Sequence, residues 1–429
     1  MVIAPIKAGA EESLRRLLAT MNKRPGVVDP HNALVPFALF DRLHVARFVV
    51  FSDVTLGDVA AHGVTVPQLP TYLVFLGDCD GPAREQLADM AQRARHGLQQ
   101  IFSFCDGFQP STDLLGWLLA NDRPVAAAYV NWIGRTVKQI REEDALHRAL
   151  VARAVHRVGD PSAQANDDPQ SIRQDLIQFV RAETDAGRLV LTPPQRTPLG
   201  WQIRNLLHAI LWPLLLLAVL PVAVLLSPLF LYQLRRLERT DPEFVMRPDP
   251  AAVARLHELE DHDVTNQFSA IGSVKPGLFR RWTLTFVFGG LDYASRHVYK
   301  RGYLTRVQTI HFARWAFFDD KRRVVFASNY DGILESYMDD FINKVAWGLN
   351  LAFSNGVGYP RTAWLLAKGA RNEQAFKNYL RRHEVPSDVW YKAYPGLTAV
   401  DLARNSRIRR GLERVAMSDA EVRDWLNLL

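Results

Sequence analysis

The tetrapeptide pattern His-x-Ala-Arg occurs twice in this chain of 429 residues, as His44–Arg47 and as His311–Arg314. A histidine can ligate a haem iron or act as a general base near neutral pH. Both copies lie in runs of β-branched and aromatic residues, which predict β-strands. Because positions i and i+3 of a strand point to opposite faces, each histidine and its arginine can share a pocket only if a bulge intervenes. The alternative is that a motif present in both halves serves an architecture that the halves share.

An Asp-Gly pair follows each motif, beginning at Asp80 and at Asp331. We expect ion pairs within each half, from Arg47 to Asp80 and from Arg314 to Asp331. The Asp-Gly pairs also have a plain structural cause, since aspartate caps helices and glycine turns the chain between a strand and a helix.

Further polar and aromatic residues belong to the second half alone, so a duplicated scaffold does not require them. Asn329 and Tyr330 precede Asp331, and residues 354–361 read SNGVGYPR. This composition indicates a large, partly polar cavity in the C-terminal half, and the alternative is a well-packed aromatic core. The predicted catalytic group of this cavity is His311, Arg314, Asn329, Tyr330 and Asp331. The aromatic residues are Trp315, Phe317, Phe318, Tyr337, Trp347, Trp364, Trp390, Tyr391 and Tyr394.

Several kinds of site lack their usual sequence support. Only Cys79 and Cys105 are present, and no CxxC pair or Cys/His cluster predicts structural zinc. The sequence has no Walker A loop, dinucleotide GxGxxG, GxSxG elbow or HExxH motif. The histidines of residues 256–264 (LHELEDHDV) are five apart, which separates them around a helix, so we expect a charged surface helix and no metal site. His383, within RRHEVP, is expected to be exposed.

Residues 205–234 carry no charged side chain, and such a run predicts a segment embedded in a membrane. Pro213, Pro221 and Pro228 interrupt it, and two arms of about 15 residues would each reach only about 22 Å. We therefore expect a re-entrant hairpin that turns at Pro221 and returns both basic flanks to the cytoplasmic face. The alternative is a kinked single span whose halves pair across a homodimer. The residues predicted to contact the membrane are Leu206, Trp212, Pro213, Leu217, Pro221, Leu225, Pro228 and Phe230.

The net charge of +7 and the isoelectric point near 9.4 suit a negatively charged partner. Because the apolar run already demands a membrane, membrane lipid is the expected partner and nucleic acid is not. The N-terminal sequence MVIAPIKAGAEESLRRLL lacks a basic region followed by an apolar core, so no cleaved signal peptide is expected. The globular parts are predicted to be cytoplasmic.

Four stretches of the first half recur in the second half in the same order. The longest pair, LHVARFVVFSD and IHFARWAFFDD, has five identities in eleven positions. The offsets are 268, 267, 251 and 251, so one insertion of sixteen residues in the first half accounts for the change. These collinear matches indicate an internal duplication. The matched ranges are 3–9 with 271–277, 43–53 with 310–320, 72–81 with 323–332, and 101–108 with 352–359.

The predicted order of elements in each repeat is β-α-β-β-α-β, the ferredoxin-like unit. Two such units in tandem resemble the dimeric α+β barrel superfamily, which includes dye-decolourising peroxidases, chlorite dismutase-like haem enzymes and small cofactor-free monooxygenases. The expected fold is therefore α+β, with two ferredoxin-like repeats forming a pseudo-dimeric barrel and a membrane hairpin between them. The C-terminal tail predicts helices with capping boxes at Thr398–Asp401 and Ser418–Glu421.

This resemblance implies a haem cofactor. Residues 77–81 (GDCDG) match the GxxDG pattern that dye-decolourising peroxidases carry beside the distal haem face, which would make Asp80 the residue that handles peroxide. The residues that the resemblance assigns to cofactor binding are His311, His44, Arg47 and Asp80.

The predicted function is a membrane-attached, peroxidase-like redox enzyme acting on a hydrophobic, lipid-like small molecule. The alternative is a non-catalytic lipid-binding or scaffold protein at the membrane surface, and a homo-oligomer is a further expectation. The predicted domains are an N-terminal repeat (1–157), a linker with a helix (158–203), the membrane segment (204–235) and a C-terminal repeat with a helical tail (236–429).

Overall fold

The computed structural model describes residues 1–158, 168–244, 246–299, 304 and 307–429. The chain forms two compact units, each built from two separate ranges. Unit 1 comprises Met1–Ile133 and Thr197–Ala393, and unit 2 comprises Gly134–Arg196 and Tyr394–Leu429. Unit 1 therefore draws on both of the predicted repeats.

The described elements confirm a mixed α and β fold. The strands are β1 (Val2–Pro5), β2 (Asn22–Arg24), β3 (Val27–Val28), β4 (Leu43–Phe51), β5 (Tyr72–Cys79), β6 (Ala127–Val130), β7 (Thr265–Ser273), β8 (Ile310–Phe318), β9 (Arg323–Asp331), β10 (Thr362–Ala363), β11 (Ala367–Lys368) and β12 (Val389–Lys392). The helices are α1 (Glu11–Ala19), α2 (Ala83–Arg93), α3 (Arg95–Phe102), α4 (Leu114–Ala120), α5 (Val137–Val158), α6 (Pro169–Asp185), α7 (Leu199–Thr240), α8 (Pro250–His257), α9 (Leu278–His297), α10 (Leu334–Phe353), α11 (Glu373–His383), α12 (Ala399–Glu413) and α13 (Asp419–Leu426).

Two four-stranded antiparallel sheets form the centre of unit 1. Their strand orders are β1-β5-β4-β12 and β6-β8-β9-β7. One edge strand of each sheet comes from the other half of the chain. Trp390 of β12 pairs with Arg47 of β4, and Ala128 of β6 pairs with Arg314 of β8. Both halves of the sequence are therefore needed to complete either sheet.

A hydrophobic core contains side chains from both sheets. Val49 and Val74 of the first sheet belong to the same buried cluster as Ile271, Val325 and Ala327 of the second sheet. All nine residues of β4 are buried, which explains why seven of them are apolar and why both faces of the strand carry apolar side chains. Each fully buried valine or isoleucine stabilises such a core by about 1.5–3 kcal/mol.

A second hydrophobic core lies between the other face of the second sheet and the helices that cover it. Phe326 and Tyr330 of β9 belong to this cluster, together with Phe288 of α9, Met338 of α10 and Phe376 of α11. Because side chains alternate along a strand, Val325 and its neighbour Phe326 serve different cores. The second sheet is thus buried on both faces.

The apolar segment forms one continuous helix, α7, so the predicted hairpin that turns at Pro221 is wrong. Pro213, Pro221 and Pro228 all lie inside its 42 residues, which extend about 63 Å. A proline removes one backbone hydrogen bond and kinks a helix, but reversing the chain also needs turn-forming residues. Residues 214–226 contain no glycine, asparagine, aspartate or serine. The flanking leucines and valines therefore continue the helix through each proline.

Helix α7 packs along α9 and is anchored at its C-terminal end. The ring of Trp212 lies over Gly289, and Phe230 contacts Phe279 with ring centroids 5.1 Å apart. The buried carboxylate of Glu238 accepts hydrogen bonds of 2.9 Å from the backbone N–H groups of Trp364 and Leu365. Of the other predicted membrane residues, the exposed ones are Leu206, Leu217, Pro221, Leu225 and Pro228, and Pro213 is half-buried.

Within the described ranges, α7 is the one helix that is long and apolar enough to cross a membrane. No residue of its most apolar window is buried in the folded chain. A segment of this kind suits a membrane-associated protein.

Unit 2 is helical, with α5, α6, α12 and α13 around their own apolar core. Leu146, Leu150, Leu176 and Ile408 are fully buried there. Both predicted capping boxes are confirmed, because Thr398 and Ser418 each exchange hydrogen bonds with the acidic residue three positions later.

Candidate functional site

Each histidine of the repeated motif occupies a β-bulge. The pairing register of β4 shifts between Leu43 and Val45, and that of β8 shifts between Ile310 and Phe312, so one extra residue lies in each strand. These extra residues are His44 and His311. A bulge changes the direction of the side chain it carries. Here His44 points at Asp80, and His311 points at Asp331.

The resulting His–Asp pairs are short. His44 Nε2 lies 2.9 Å from Asp80 Oδ1, and His311 Nε2 lies 2.7 Å from Asp331 Oδ1. In the second half, Thr265 also donates a hydrogen bond of 2.7 Å to Asp331. The aspartates therefore bind the histidines, and the predicted pairing of each aspartate with the arginine of its own half is wrong.

The arginines instead reach across to the opposite sheet. The buried guanidinium of Arg47 donates four hydrogen bonds, two to β7 and two to β9. On each strand one acceptor is a carbonyl oxygen and the other is a side-chain oxygen of the next residue. Arg314 donates to the carbonyl oxygen of Gly77 and to the side chain of Asp78 on β5. The partners of Arg47 are Phe268 O (2.8 Å), Ser269 Oγ (2.9 Å), Ser328 O (3.0 Å) and Asn329 Oδ1.

Burial, and secondarily the charge of Arg314, lowers the pKa of Arg47 to about 9. The guanidinium therefore remains protonated at pH 7 and keeps its full set of donors. Both arginines act as ties between the sheets.

The predicted catalytic group is divided between two faces of the second sheet. Asn329 faces the first sheet, where it accepts from Arg47. Tyr330 faces the helices and stacks on Tyr337 with ring centroids 3.9 Å apart. Burial raises the pKa of the Tyr330 hydroxyl well above its usual range. His311 and Asp331 are the two members of the predicted group that bind each other.

The haem cofactor stays a prediction. His44 Nε2 and His311 Nε2 both lie within hydrogen-bond distance of carboxylates. Arg47 is committed to the other sheet. Among the described residues that line the large cavity below, there is no histidine.

An apolar cavity of about 460 Å³ lies between the second sheet and helices α9 and α10. This volume is in the range of small-molecule sites. The cavity matches the C-terminal position expected from the aromatic residues, but its described lining contains no charged side chain. Its floor is formed by Phe268, Ala313, Trp315 and Phe326, and its walls include Phe286, Val287, Gly290, Leu291, Tyr337, Phe341, Val345, Trp347 and Leu349.

Local backbone features keep this cavity open. A Cβ atom on Gly290 would meet no other atom within 4 Å, so this glycine leaves space at the cavity wall. Helix α10 is kinked at Val345, where φ is −144° and ψ is 27°, and Val345 lines the cavity. Sequence reasoning missed the contribution of α9, although the Gly289-Gly290 pair inside an apolar helix was a signal that could have been used.

The rim of the cavity is continuous with exposed apolar surface. Phe286 lines the cavity and is 69% exposed. Leu278 and Trp282 are exposed on the same helix at four-residue spacing, which places all three on one face. Their helix, α9, is the one against which α7 packs. Apolar patches of this kind mark sites of interaction with lipid or protein.

A second cavity of about 40 Å³ adjoins the first, and Phe326, Ala352, Phe353 and Leu380 line both. His383 lines the smaller cavity and is only 4% exposed, so its predicted exposure is wrong. The charged helix predicted over 256–264 also differs, because α8 ends at His257.

Comparison of the chain with protein-family models, with curated proteins and with solved structures finds no match.

Proposed function

We propose that this protein is attached to a membrane and holds a hydrophobic small molecule in the cavity between the second sheet, α9 and α10. The observation that carries the proposal is an uncharged cavity of about 460 Å³ whose lining includes Phe286, an exposed apolar residue of α9. A molecule dissolved in a bilayer could enter this cavity without crossing water. The predicted non-catalytic lipid-binding function therefore has the stronger support.

The chemistry of the lining restricts the part of the molecule that enters. Burying an unpaired charge or an unsatisfied polar group costs several kcal/mol, and the described lining offers no charged partner. The ligand is therefore expected to present an apolar body, such as an alkyl, prenyl or fused-ring group. The predicted redox activity stays a prediction, since no observation of the site favours it.

The sheets support the proposal of an internal duplication. Read from the first strand of each half, the orders β1-β5-β4-β12 and β7-β9-β8-β6 correspond strand by strand. The bulges at His44 and His311 also occupy equivalent positions. Arg47 reaches Ser328 and Asn329, and Arg314 reaches Gly77 and Asp78, which are the equivalent residues at the offset of 251. We infer two ferredoxin-like repeats that exchange their last strands in a pseudo-dimeric barrel.

The same exchange supports a one-sided membrane attachment. Strand β6 precedes α7 in the chain and β8 follows it, yet the two strands pair. Both end regions of α7 also contact other parts of unit 1, through His208 with His297 and through Glu238 with Thr362. We infer that α7 lies along the folded unit within one leaflet, with the globular parts on the cytoplasmic side.

Labelling from one side of sealed vesicles tests this topology. In a Cys79→Ser background, Ser111→Cys and Arg247→Cys place exposed thiols before and after α7. We expect a membrane-impermeant maleimide to label both or neither in a given vesicle orientation. Reaction of the two positions from opposite sides would contradict the one-sided arrangement.

Phenylalanine at Gly290 tests the cavity. The glycine is exposed at the cavity wall, and a Cβ atom there would meet no other atom within 4 Å, so a larger side chain can be introduced beside the cavity. We expect Gly290→Phe to reduce the retention of radiolabelled dodecane by the detergent-solubilised protein at least tenfold, while the unfolding temperature does not fall. Gly200→Phe is the matched control, because Gly200 is also a helical glycine in open space but lies outside the cavity. Equal retention by both variants would contradict the proposal.

A further inference from the structure

His383 is a buried histidine with one nitrogen committed and the other free. It is the last residue of α11, and its ring lies 4.2 Å from that of Tyr379. Its Nδ1 atom lies 2.8 Å from the carbonyl oxygen of Tyr379. A carbonyl can only accept, so Nδ1 carries the proton and Nε2 presents a lone pair. Among the described residues, Nε2 has no hydrogen-bond partner.

Two glycines make the space in which this ring lies. A Cβ atom on Gly272 would be 2.8 Å from His383 Cδ2 and 3.3 Å from Nε2. A Cβ atom on Gly358 would be 3.8 Å from Cε1. Any larger residue at Gly272 would crowd the Nε2 edge of the ring, which therefore depends on that glycine.

The smaller cavity lies beside His383. His383 and Gly272 line the cavity of about 40 Å³, which adjoins the large apolar cavity through Phe326 and Leu380. A space of this size holds a group as large as a water molecule or a hydroxyl. The paired cavities thus provide a large apolar chamber and a small chamber whose lining includes the imidazole of His383.

The charge state of the ring fits this role. Burial lowers the pKa of His383 below its ordinary value, and Arg382 acts in the same direction, while the Tyr379 carbonyl, Asp53 and Asp58 oppose the shift. The imidazole is therefore neutral at pH 7 and accepts one hydrogen bond through Nε2. A carboxylate has no proton to donate to it, whereas an alcohol has one.

We propose that the bound molecule is a hydrophobic alcohol, whose apolar body occupies the large cavity and whose hydroxyl group donates a hydrogen bond to His383 Nε2 in the small one. This inference rests on the proposed function, since it names the class of molecule that the same site binds. It adds His383 as a residue that determines the specificity of this site.

A competition experiment tests the inference. Radiolabelled dodecanol is bound to the detergent-solubilised full-length protein and displaced by unlabelled dodecanol, dodecane or dodecanoic acid. We expect dodecanol to compete about tenfold better than dodecane, as one hydrogen bond in a dry site provides. His383→Leu is expected to abolish this preference. His383→Gln, which keeps an acceptor near the Nε2 position, is expected to retain much of it. The thermal unfolding of each variant identifies any loss caused by misfolding.

The outcomes separate this inference from the proposed function. Equal competition by dodecanol and dodecane, unchanged in His383→Leu, would overturn the role of His383. The cavity would remain a binding site, and a buried water would then be the partner of Nε2. Stronger competition by dodecanoic acid than by dodecanol would overturn the assignment to alcohols. Absence of saturable binding of both dodecanol and dodecane would overturn the proposed function as well. If His383→Leu unfolds, the wild type and folded His383→Gln decide the question. A preference for dodecanol in the wild type that His383→Gln largely retains supports the inference, and a ratio near one in the wild type overturns it.

Discussion

Arginine at both Leu217 and Leu225 is expected to release the protein from membranes. These side chains are 63% and 78% exposed on α7, in the middle of its apolar run. One arginine at the centre of a membrane-embedded helix costs about 2.5–3.5 kcal/mol. Two arginines eight positions apart therefore cost about 5–7 kcal/mol, which corresponds to a reduction in membrane partitioning of more than a thousandfold. Extraction of isolated membranes with alkaline carbonate measures the change.

Leu217→Ala with Leu225→Ala is the control for this release, because it removes apolar surface without adding charge. We expect the double alanine variant to stay in the membrane fraction with the wild type. The fold itself should survive the arginines, since α7 packs on α9 through other residues, among them Trp212 and Phe230. Release of the wild-type protein by salt alone would contradict the account of α7 as a membrane-embedded helix.

Leucine in place of Arg47 is expected to lower the free energy of unfolding by about 3–5 kcal/mol. The substitution leaves four buried oxygen acceptors on β7 and β9 without their donor, and each unsatisfied group costs about 1–3 kcal/mol before relaxation. Chemical denaturation of the detergent-solubilised protein, followed by tryptophan fluorescence, measures the loss.

Arg314→Leu provides an internal comparison, since Arg314 occupies the equivalent position in the other repeat. Its hydrogen bonds to Gly77 O are longer, at 3.4 and 3.5 Å, and its side chain is less completely buried. We therefore expect a smaller loss of stability from Arg314→Leu. A loss below about 1 kcal/mol in Arg47→Leu would show that this arginine does not tie the sheets together as described.

Local sequence predicted the strands and caps of this protein well, because those features depend on residues close together in the chain. Seven of the nine residues in LHVARFVVF are apolar and three are valines, which suits a strand buried on both faces. The capping boxes at Thr398 and Ser418 depend on only four residues each. The bulges at His44 and His311 were predicted only as the condition under which each histidine could share a pocket with its arginine. A bulge has no single sequence signature that would predict it directly.

Longer-range features could not be predicted in the same way. Nothing within the short strand AAYV specifies that it pairs with β8 of the other half of the chain. The prolines of α7 suggested a break, but the outcome depended on the absence of turn-forming residues around Pro221. The cavity forms where α9 and α10 pack against the second sheet. Its lining residues extend from Phe268 to Leu380, more than 100 positions along the chain, and only packing brings them together.

The buried location of His383 illustrates the same limit. Its neighbours in RRHEVP are charged, which predicted a solvated surface. In the fold, Arg381 is bound by Glu260 and Glu384, and Arg382 by Asp58, so these charges are neutralised within the protein. Pairing of this kind allows charged residues to be buried beside a neutral histidine. A basic sequence is therefore weak evidence of exposure.

Mass spectrometry of the organic extract from purified protein tests the central claim most directly. The wild-type protein and Gly290→Phe are purified from the same membranes in the same detergent, and the extracted molecules are compared at equal protein amounts. We expect an apolar molecule that copurifies with the wild type near one per chain and is strongly depleted in Gly290→Phe. The same extract from both proteins, with no molecule that depends on the cavity, would contradict it.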